Sequence, residues 1–132
     1  MADVVQTVAL EAPVERTYNA IIDSAEHSTF TGARAQLSDR PGTPFTTHGG
    51  AIEGWVLDVV PNERIVQAWR PADWPAGVYS VVRYDFEENR NGTKLTLTHT
   101  GLPADGADHI AEGWEQRYWG PLAAHLEANP SA

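Results

Sequence analysis

The chain has 132 residues, carries 9 basic and 18 acidic side chains for a net charge of -9, and contains no cysteine. The acidic balance opposes binding to nucleic acids or anionic lipids, and the absence of thiols excludes disulfides, thiolate metal sites and cysteine nucleophiles. With 42% apolar residues and no long apolar run, we expect residues 1–132 to form a single cytoplasmic domain that does not insert into a membrane.

The first part of the chain predicts a strand followed by two short helices. Residues 4–10 are rich in β-branched side chains, which is typical of a strand. Pro13 then fits a first helical turn, and Val14 and Tyr18 recur on one helical face. The segment that follows reads as a second short helix ending at Gly32, because glycine is a common C-terminal stop.

The middle of the chain, residues 33–101, predicts an antiparallel meander. Short extended segments alternate there with glycine, proline and asparagine turn residues. Asn91 and Gly92 lie between two such segments and predict a hairpin with a type I′ turn, which needs positive φ at both central residues. The strands of this meander are expected to supply most of the sheet.

Two-residue alternation along the strands predicts which side chains face the core. The inward set comprises Ile65, Gln67, Trp69, Val82, Tyr84, Phe86, Leu95, Leu97 and His99. The parity of Trp55 stays open, because either choice exposes one acidic residue of its strand. Polar groups of Gln67, Tyr84 and His99 are therefore expected on the inner face.

The end of the chain predicts one long amphipathic helix over residues 107–128. Its apolar residues recur every four positions, namely Ile110, Trp114, Tyr118, Leu122 and Leu126. Pro121 interrupts the helix and predicts a kink near Gly120 and Pro121. The whole pattern is that of an α+β protein in which a curved antiparallel sheet packs its concave face against the last helix.

Two alternatives remain for the space between sheet and helix. The large aromatic side chains could fill it as a solid core, or the inward polar groups could line a hollow that binds a small molecule. On the second alternative, ligand-binding residues are Trp69, Tyr84, His99, Trp114 and Tyr118, with His48 at the rim.

Five motifs together resemble a known family. They are "APVERTYNAI", "FTG", "GGAIEGWVLDVVPNERIVQAWRPADWP", "GTKLTLTHTGLP" and "GWEQRYWGPL". Their order and spacing resemble the domain homologous to the C-terminal part of the heat-shock protein 90 ATPase activators, in the START-like (SRPBCC, birch-pollen-allergen-like) superfamily. The likeness runs from about Val4 to Leu126.

The resemblance implies a helix-grip fold with six or seven strands around the C-terminal helix and two short helices after the first strand. The implied fold often includes a cavity between the sheet and that helix, and the leading hypothesis is that the cavity holds a hydrophobic or aromatic small molecule. The alternative that the resemblance implies is a chaperone partner and a part in the stress response. No catalytic residue, metal or cofactor accompanies these expectations. A third alternative is an enzyme for a cyclic or polyketide-like substrate, as some superfamily members are, with His99 as acid or base.

The loop that contains Trp74 allows two interpretations. Trp69, Arg70, Trp74 and Pro75 match the Trp-Arg and Trp-Pro pairs of the family signature, which is "WRPADWP" in this chain. Exposed tryptophan and arginine side chains are common interface anchors, so Trp74 and Arg70 are partner-binding residues on one interpretation. On the other, the loop closes over the mouth of the cavity. Ser80 has no evident base partner in the sequence, which predicts no nucleophilic serine.

Overall fold

The computed structural model describes residues 1–130. In chain order the elements are β1 (Ala2–Leu10), α1 (Val14–Ile22), α2 (Ser24–Thr31), β2 (Pro44–Thr47), β3 (Ile52–Val60), β4 (Arg64–Pro71), β5 (Ser80–Asn89), β6 (Gly92–Leu102), α3 (Ala107–Trp114) and α4 (Gly120–Ala128). A 3-10 turn (His48–Gly50) follows β2, and a π-helical segment (Glu115–Trp119) joins α3 to α4. Within residues 1–130, no helix is long and apolar enough to cross a bilayer.

The strands form one six-stranded antiparallel sheet in the order β1-β6-β5-β4-β3-β2. Strands β2 to β6 pair with their neighbours in the sequence, as expected for a meander. Strand β1 is the edge strand on the side opposite to β2, and its Val5 pairs with Thr98 of β6. The curved sheet, the long C-terminal helix and the two short helices after β1 confirm the predicted helix-grip fold, with six strands.

The hairpin between β5 and β6 is confirmed, but the predicted turn type is wrong. Asn89 pairs with Gly92, so Arg90 and Asn91 are the central residues. Asn91 does not have the positive φ that a type I′ turn requires. The Asn91 backbone N–H instead donates to Asn89 Oδ1 at 3.0 Å. Gly92, with φ 149°, is required because a Cβ atom there would collide with the Leu10 carbonyl oxygen.

The predicted alternation separates an inner from an outer face of the sheet. The side chains predicted to face inward are all buried: Ile65, Gln67, Trp69, Val82, Tyr84, Phe86, Leu95, Leu97 and His99. On the outer face, Trp55 is 46% exposed and Leu57 is 49% exposed. The register between β3 and β4 shifts between Val56 and Asp58, so Leu57 has no partner on β4. This shift explains why neither parity fitted the whole of β3.

The C-terminal helix is continuous over residues 107–128 but widens at its centre. The backbone stays helical at both junctions of the π-helical segment, at Glu115 and at Gly120. The kink predicted near Gly120 and Pro121 stays a prediction, but the π-helical segment ends directly before Gly120, and Pro121 follows in the first turn of α4. Proline is tolerated in a first turn because its missing N–H is not needed there.

The wider turn also accounts for the four-residue spacing of the helix. On a regular α-helix, residues four apart drift by about 40° per step around the axis. A π turn has more residues per turn and reduces this drift. Trp114, Tyr118 and Leu122 consequently all remain buried on the side that faces the sheet.

Helix α2 is held by a polar network at one of its ends. Asp23 caps the helix by accepting a hydrogen bond from the Glu26 backbone N–H at 3.0 Å, and Gly32 ends it with φ 75°, as predicted. The Glu26 carboxylate accepts from Arg16 Nη1 of α1 at 3.0 Å and lies 2.9 Å from His125 Nε2 of α4. These contacts connect α2 to α1 and α4.

Candidate functional site

A cavity of about 420 Å³ lies between the sheet and the C-terminal helix, within the size range of small-molecule sites. Its apolar lining consists of Ile21, Leu37, Phe45, Ile52, Trp69, Trp74, Ile110 and Trp114. Its buried polar lining consists of His27, Thr47, Gln67, Tyr84 and Tyr118. Asp73, Asp105 and Arg117 are the charged residues of the lining, and all three are exposed. Of the two alternatives for this space, the structure contains the hollow.

Three tryptophans form an aromatic wall of the cavity. Trp69 of β4 and Trp114 of α3 face each other with ring centroids 6.1 Å apart. Trp74, from the loop after β4, packs edge-on against Trp69, also at 6.1 Å. The structure thus brings Trp69 and Trp114, two of the predicted ligand-binding residues, together with Trp74 from the predicted lid.

His99 faces inward as predicted, but it does not line the cavity. It is fully buried behind the tryptophan wall, 4.6 Å from the Trp69 ring. Trp114 Nε1 donates to His99 Nδ1 at 3.1 Å, so Nδ1 is unprotonated and Nε2 carries the hydrogen. His99 Nε2 then donates to Ser80 Oγ at 2.7 Å, and Ser80 Oγ donates to the Trp69 carbonyl at 3.0 Å.

This chain of hydrogen bonds corrects two expectations. His99 has no nitrogen left for a ligand, and burial lowers its pKa to about 4, so it is neutral at physiological pH and poorly suited to acid–base chemistry. Ser80 does have a histidine partner, contrary to the sequence prediction. Ser80 Oγ accepts a hydrogen bond from His99 and donates its own hydrogen to the Trp69 carbonyl. The two residues are therefore not arranged as a nucleophile and its base.

Tyr84 and Tyr118 contribute two phenol groups to the cavity. Their ring centroids lie 6.5 Å apart. Burial raises the pKa of both phenols well above the ordinary value, and the proximity of Tyr84 raises that of Tyr118 further. Both are therefore neutral hydrogen-bonding groups and not phenolates.

His48 lines the cavity from the 3-10 turn after β2. Its backbone has φ 53°, an unusual conformation for a residue with a Cβ atom. Burial and the nearby Arg117 guanidinium lower the pKa of its imidazole. His27 and His109 also line the cavity, but residues 1–130 contain no group of three or more potential ligands that could hold a metal ion.

Arg70 fixes the loop that carries Trp74. Its guanidinium forms an ion pair with Glu53 at 2.5 Å. It also donates to the carbonyls of Trp74, Pro75 and Val78, the last two at 3.2 Å. Arg70 is only 6% exposed, so the expectation that it offers its charge to a partner is wrong in this structure: the side chain holds the loop in place.

Sequence reasoning missed His27 as a site residue. His27 is 2% exposed and packs against Phe30 and Tyr118, with ring centroids at 4.8 and 5.3 Å. Its Nδ1 donates to the Ile21 carbonyl at 3.0 Å, whereas its Nε2 is buried without a partner. The signal in the sequence is the three-residue spacing from Phe30, which places both rings on one face of α2.

Gln67 was predicted to face inward but was not assigned to the site. It lines the cavity and is 4% exposed. The Gln67 carboxamide and the His27 imidazole therefore give the cavity two polar groups, and of these His27 Nε2 is buried without a partner.

Comparison with known proteins places this geometry in a family. The model of the family described as "Activator of Hsp90 ATPase homolog 1-like protein" matches residues 11–127. The chain belongs to this family. The matched residues include the tryptophan wall, His27 and Gln67, so the cavity lies within the part of this activator-like chain that defines the family.

Individual relatives of the activator-like chain agree with this assignment. The activator of 90 kDa heat shock protein ATPase homolog 1 of Homo sapiens is 29% identical over 105 residues, which cover 80% of this chain and 31% of that protein. A solved HSP90 activator from Plasmodium falciparum matches with a TM-score of 0.85 and 25% identity, covering 96% of this chain and 95% of that one. A protein from Mesorhizobium loti has the same fold, with a TM-score of 0.80 and 20% identity over 96% of this chain and 98% of its own.

The chain spans only about a third of the curated relatives that it matches, since the human protein is covered over 31% and the yeast Hsp90 co-chaperone AHA1 of Saccharomyces cerevisiae over 32%. What those whole proteins do is therefore a property of longer chains.

Proposed function

We propose that this activator-like chain binds a neutral, largely aromatic small molecule in the cavity between the sheet and the C-terminal helix. The observation that carries the proposal is a hollow of about 420 Å³ with three indole rings on its wall. Apolar walls with a few convergent polar groups are characteristic of small-molecule sites. Burying a ligand's apolar surface against such a wall would supply most of the binding free energy.

The distribution of charge supports a neutral ligand. The charged side chains of the lining are exposed, whereas the buried polar ones are neutral. An ion taken into the interior would lose its hydration without meeting a counter-charge, which is strongly unfavourable. Charged groups of a ligand would have to remain at the mouth.

The hydrogen bonds behind the tryptophan wall do not favour the alternative of an enzyme that uses His99 as acid or base. Both nitrogens of His99 and the hydroxyl of Ser80 are bonded within the protein, behind the tryptophan wall.

Gly113 provides a direct way to test the cavity. It lines the cavity from α3, and a Cβ atom added to it would meet nothing within 4 Å. Replacement of Gly113 by Leu or Phe should therefore fill the hollow without displacing a core side chain. Gly113→Ala is the matched control, because it makes the same change in helix propensity while adding one methyl group.

The test uses N-phenylnaphthylamine, a neutral probe whose fluorescence rises in apolar sites. We expect the natural chain and Gly113→Ala to bind it, Gly113→Leu to bind it about tenfold more weakly and Gly113→Phe hardly at all. Urea unfolding of each variant checks that the fold is intact. Absence of probe binding to the natural chain, or equal binding to all three variants, would refute the proposal.

A second function, association with a chaperone ATPase of the 90 kDa heat-shock class, is favoured by the names of the relatives. Trp74 is the side chain to test, because it is half-buried on a loop, whereas Arg70 is engaged within the chain. Trp74→Ala should weaken association measured by calorimetry, and Trp55→Ala on the outer face of the sheet is the control. Absence of association, with the chaperone shown to be active, would exclude this function for the chain on its own.

A further inference from the structure

The His27 imidazole and the Gln67 carboxamide, which both line the cavity, differ in what they can recognise. The Ile21 carbonyl can only accept a hydrogen bond, so the proton of His27 must lie on Nδ1. Its Nε2 then carries a lone pair and can only accept a hydrogen bond. The Tyr118 hydroxyl lies 3.4 Å from Nδ1, on the nitrogen already engaged, and leaves Nε2 without a partner.

His27 keeps this form at physiological pH. Burial lowers the pKa of its imidazole to about 4, and the nearby His48 lowers it further, against the opposing effect of the Ile21 carbonyl. The ring packs against Phe30 and Tyr118, which also contact each other at 5.2 Å between ring centroids. Nε2 therefore remains an acceptor at neutral pH, and a ring flip would satisfy it only by breaking the bond to the Ile21 carbonyl.

Gln67 adds a carboxamide on the sheet side of the same cavity. A carboxamide both donates and accepts, so it can complete the hydrogen bonds of a hydroxyl but does not by itself select one. The selective group is His27, because a ligand without a hydrogen-bond donor would leave the lone pair of His27 Nε2 unsatisfied.

Resting on the proposed function, we infer that the ligand is a hydroxylated aromatic molecule, such as a phenol, whose O–H group donates to His27 Nε2 inside the cavity. The apolar wall receives the ring, and the neutral imidazole receives the hydroxyl hydrogen. A methyl ether of the same ring system would fill the same space but could not donate. The site should therefore discriminate between two molecules that differ by the replacement of one hydrogen.

The experiment compares β-naphthol with β-naphthyl methyl ether and naphthalene, each displacing N-phenylnaphthylamine from the natural chain. We expect β-naphthol to bind at least about fivefold more tightly than either analogue, as one buried hydrogen bond provides. The variants are His27→Asn and Gln67→Met. The shorter Asn can still donate to the Ile21 carbonyl but has no acceptor in the place of Nε2.

We expect His27→Asn to bind β-naphthol and its ether equally, and Gln67→Met to retain the preference for the naphthol. Glu127→Gln, at an exposed position on α4 outside the cavity lining, is the control and should behave as the natural chain does. Naphthol and ether that displace the probe equally from the natural chain would overturn this inference while the Gly113 series still supports a binding cavity. A preference that survives in His27→Asn would overturn the assignment to His27, and failure of the probe itself to bind would remove the inference together with the proposed function.

Discussion

Two buried histidines, one on the sheet and one on helix α2, share a residue type and a lowered pKa but not a role. His99 is fully buried, and both of its nitrogens are bonded within the protein. His27 is 2% exposed, and one of its nitrogens has no partner. Burial alone therefore does not distinguish a structural imidazole from a ligand-binding one. The two kinds of imidazole are distinguished by the number of hydrogen bonds that the protein itself supplies to the ring.

The largest expected effect is a dependence of stability on pH, which the lowered pKa values of both histidines should produce. Each has a folded pKa of about 4, lowered by burial from the ordinary 6.5, so the unfolded chain binds more protons between these two pH values. The stabilising contribution is fully present above pH 6.5 and decreases as the pH falls toward 4. The loss amounts to about 3 kcal/mol for each histidine, measurable by urea unfolding at a series of pH values.

Single variants separate the histidines from the carboxylates that titrate near the lower end of this window. His27→Asn and His99→Phe should each reduce the slope of stability against pH by about one proton at its steepest point. A slope that is unchanged in His27→Asn would contradict the buried, neutral state of that residue and would weaken the comparison between the two sites.

His99→Phe should show that His99, unlike His27, has a structural role. It removes the acceptor for Trp114 Nε1, which is left without a partner, and the donor to Ser80 Oγ, which keeps only its bond to the Trp69 carbonyl. We expect the free energy of unfolding at neutral pH to fall by about 2 kcal/mol or more. Near-ultraviolet circular dichroism should also change, because the orientation of Trp114 is no longer fixed. A loss no greater than that of His27→Asn would refute the structural role of His99.

Glu26→Gln tests the polar network next to His27. Burial alone would raise the pKa of Glu26, but hydrogen bonds from Arg16, His125 and Asn19 and the charge of Arg16 outweigh it and lower the pKa. The variant leaves the Arg16 guanidinium, which is 6% exposed, without a counter-charge, and we expect a loss of about 1 to 2 kcal/mol at neutral pH.

The contribution of Glu26 is present above its ordinary pKa of 4.5 and is lost as the pH falls through the lowered pKa of the folded state. The difference in stability between the natural chain and Glu26→Gln should therefore shrink in acid. Glu127→Gln, at an exposed position on α4, is the control and should change stability little. A difference that stays constant down to the acid limb would indicate that the network does not depend on the charge of Glu26.

The smallest effect is expected for His27→Asn at neutral pH. The variant can retain the hydrogen bond to the Ile21 carbonyl and removes a lone pair that has no partner in the protein, so stability should change by less than about 1 kcal/mol. Urea unfolding measures this directly. A loss as large as that of His99→Phe would make His27 a structural residue and would remove the contrast between the two sites.

Much of the fold could be predicted because it depends on local patterns. Two-residue alternation in β4, β5 and β6 correctly placed Trp69, Tyr84 and His99 on the inner face. The spacing of apolar residues placed Trp114 and Tyr118 on the buried side of the last helix. The turn at Asn91 was misassigned because its geometry depends on the close approach of β1 at Leu10, which no local signal reports.

The candidate site was only partly predictable. Trp69, Tyr84, Trp114, Tyr118 and His48 line the cavity as expected, whereas His99 lies behind it. Arg70 was expected at a surface for partners, but its donors meet the carbonyls of the following loop. In both cases the sequence placed the side chain on the correct element but did not reveal its hydrogen-bond partners.

By itself, the sequence determined which face of each strand and helix is buried, because backbone geometry fixes the direction of successive side chains within one element. Only the tertiary structure decided which buried polar groups find partners. His99 meets Trp114 and Ser80 because a helix and two strands converge on it, whereas no element of the described chain reaches His27 Nε2. Hydrogen bonds need donor and acceptor within about 3 Å, and that separation between distant segments is set by the packing of the whole fold.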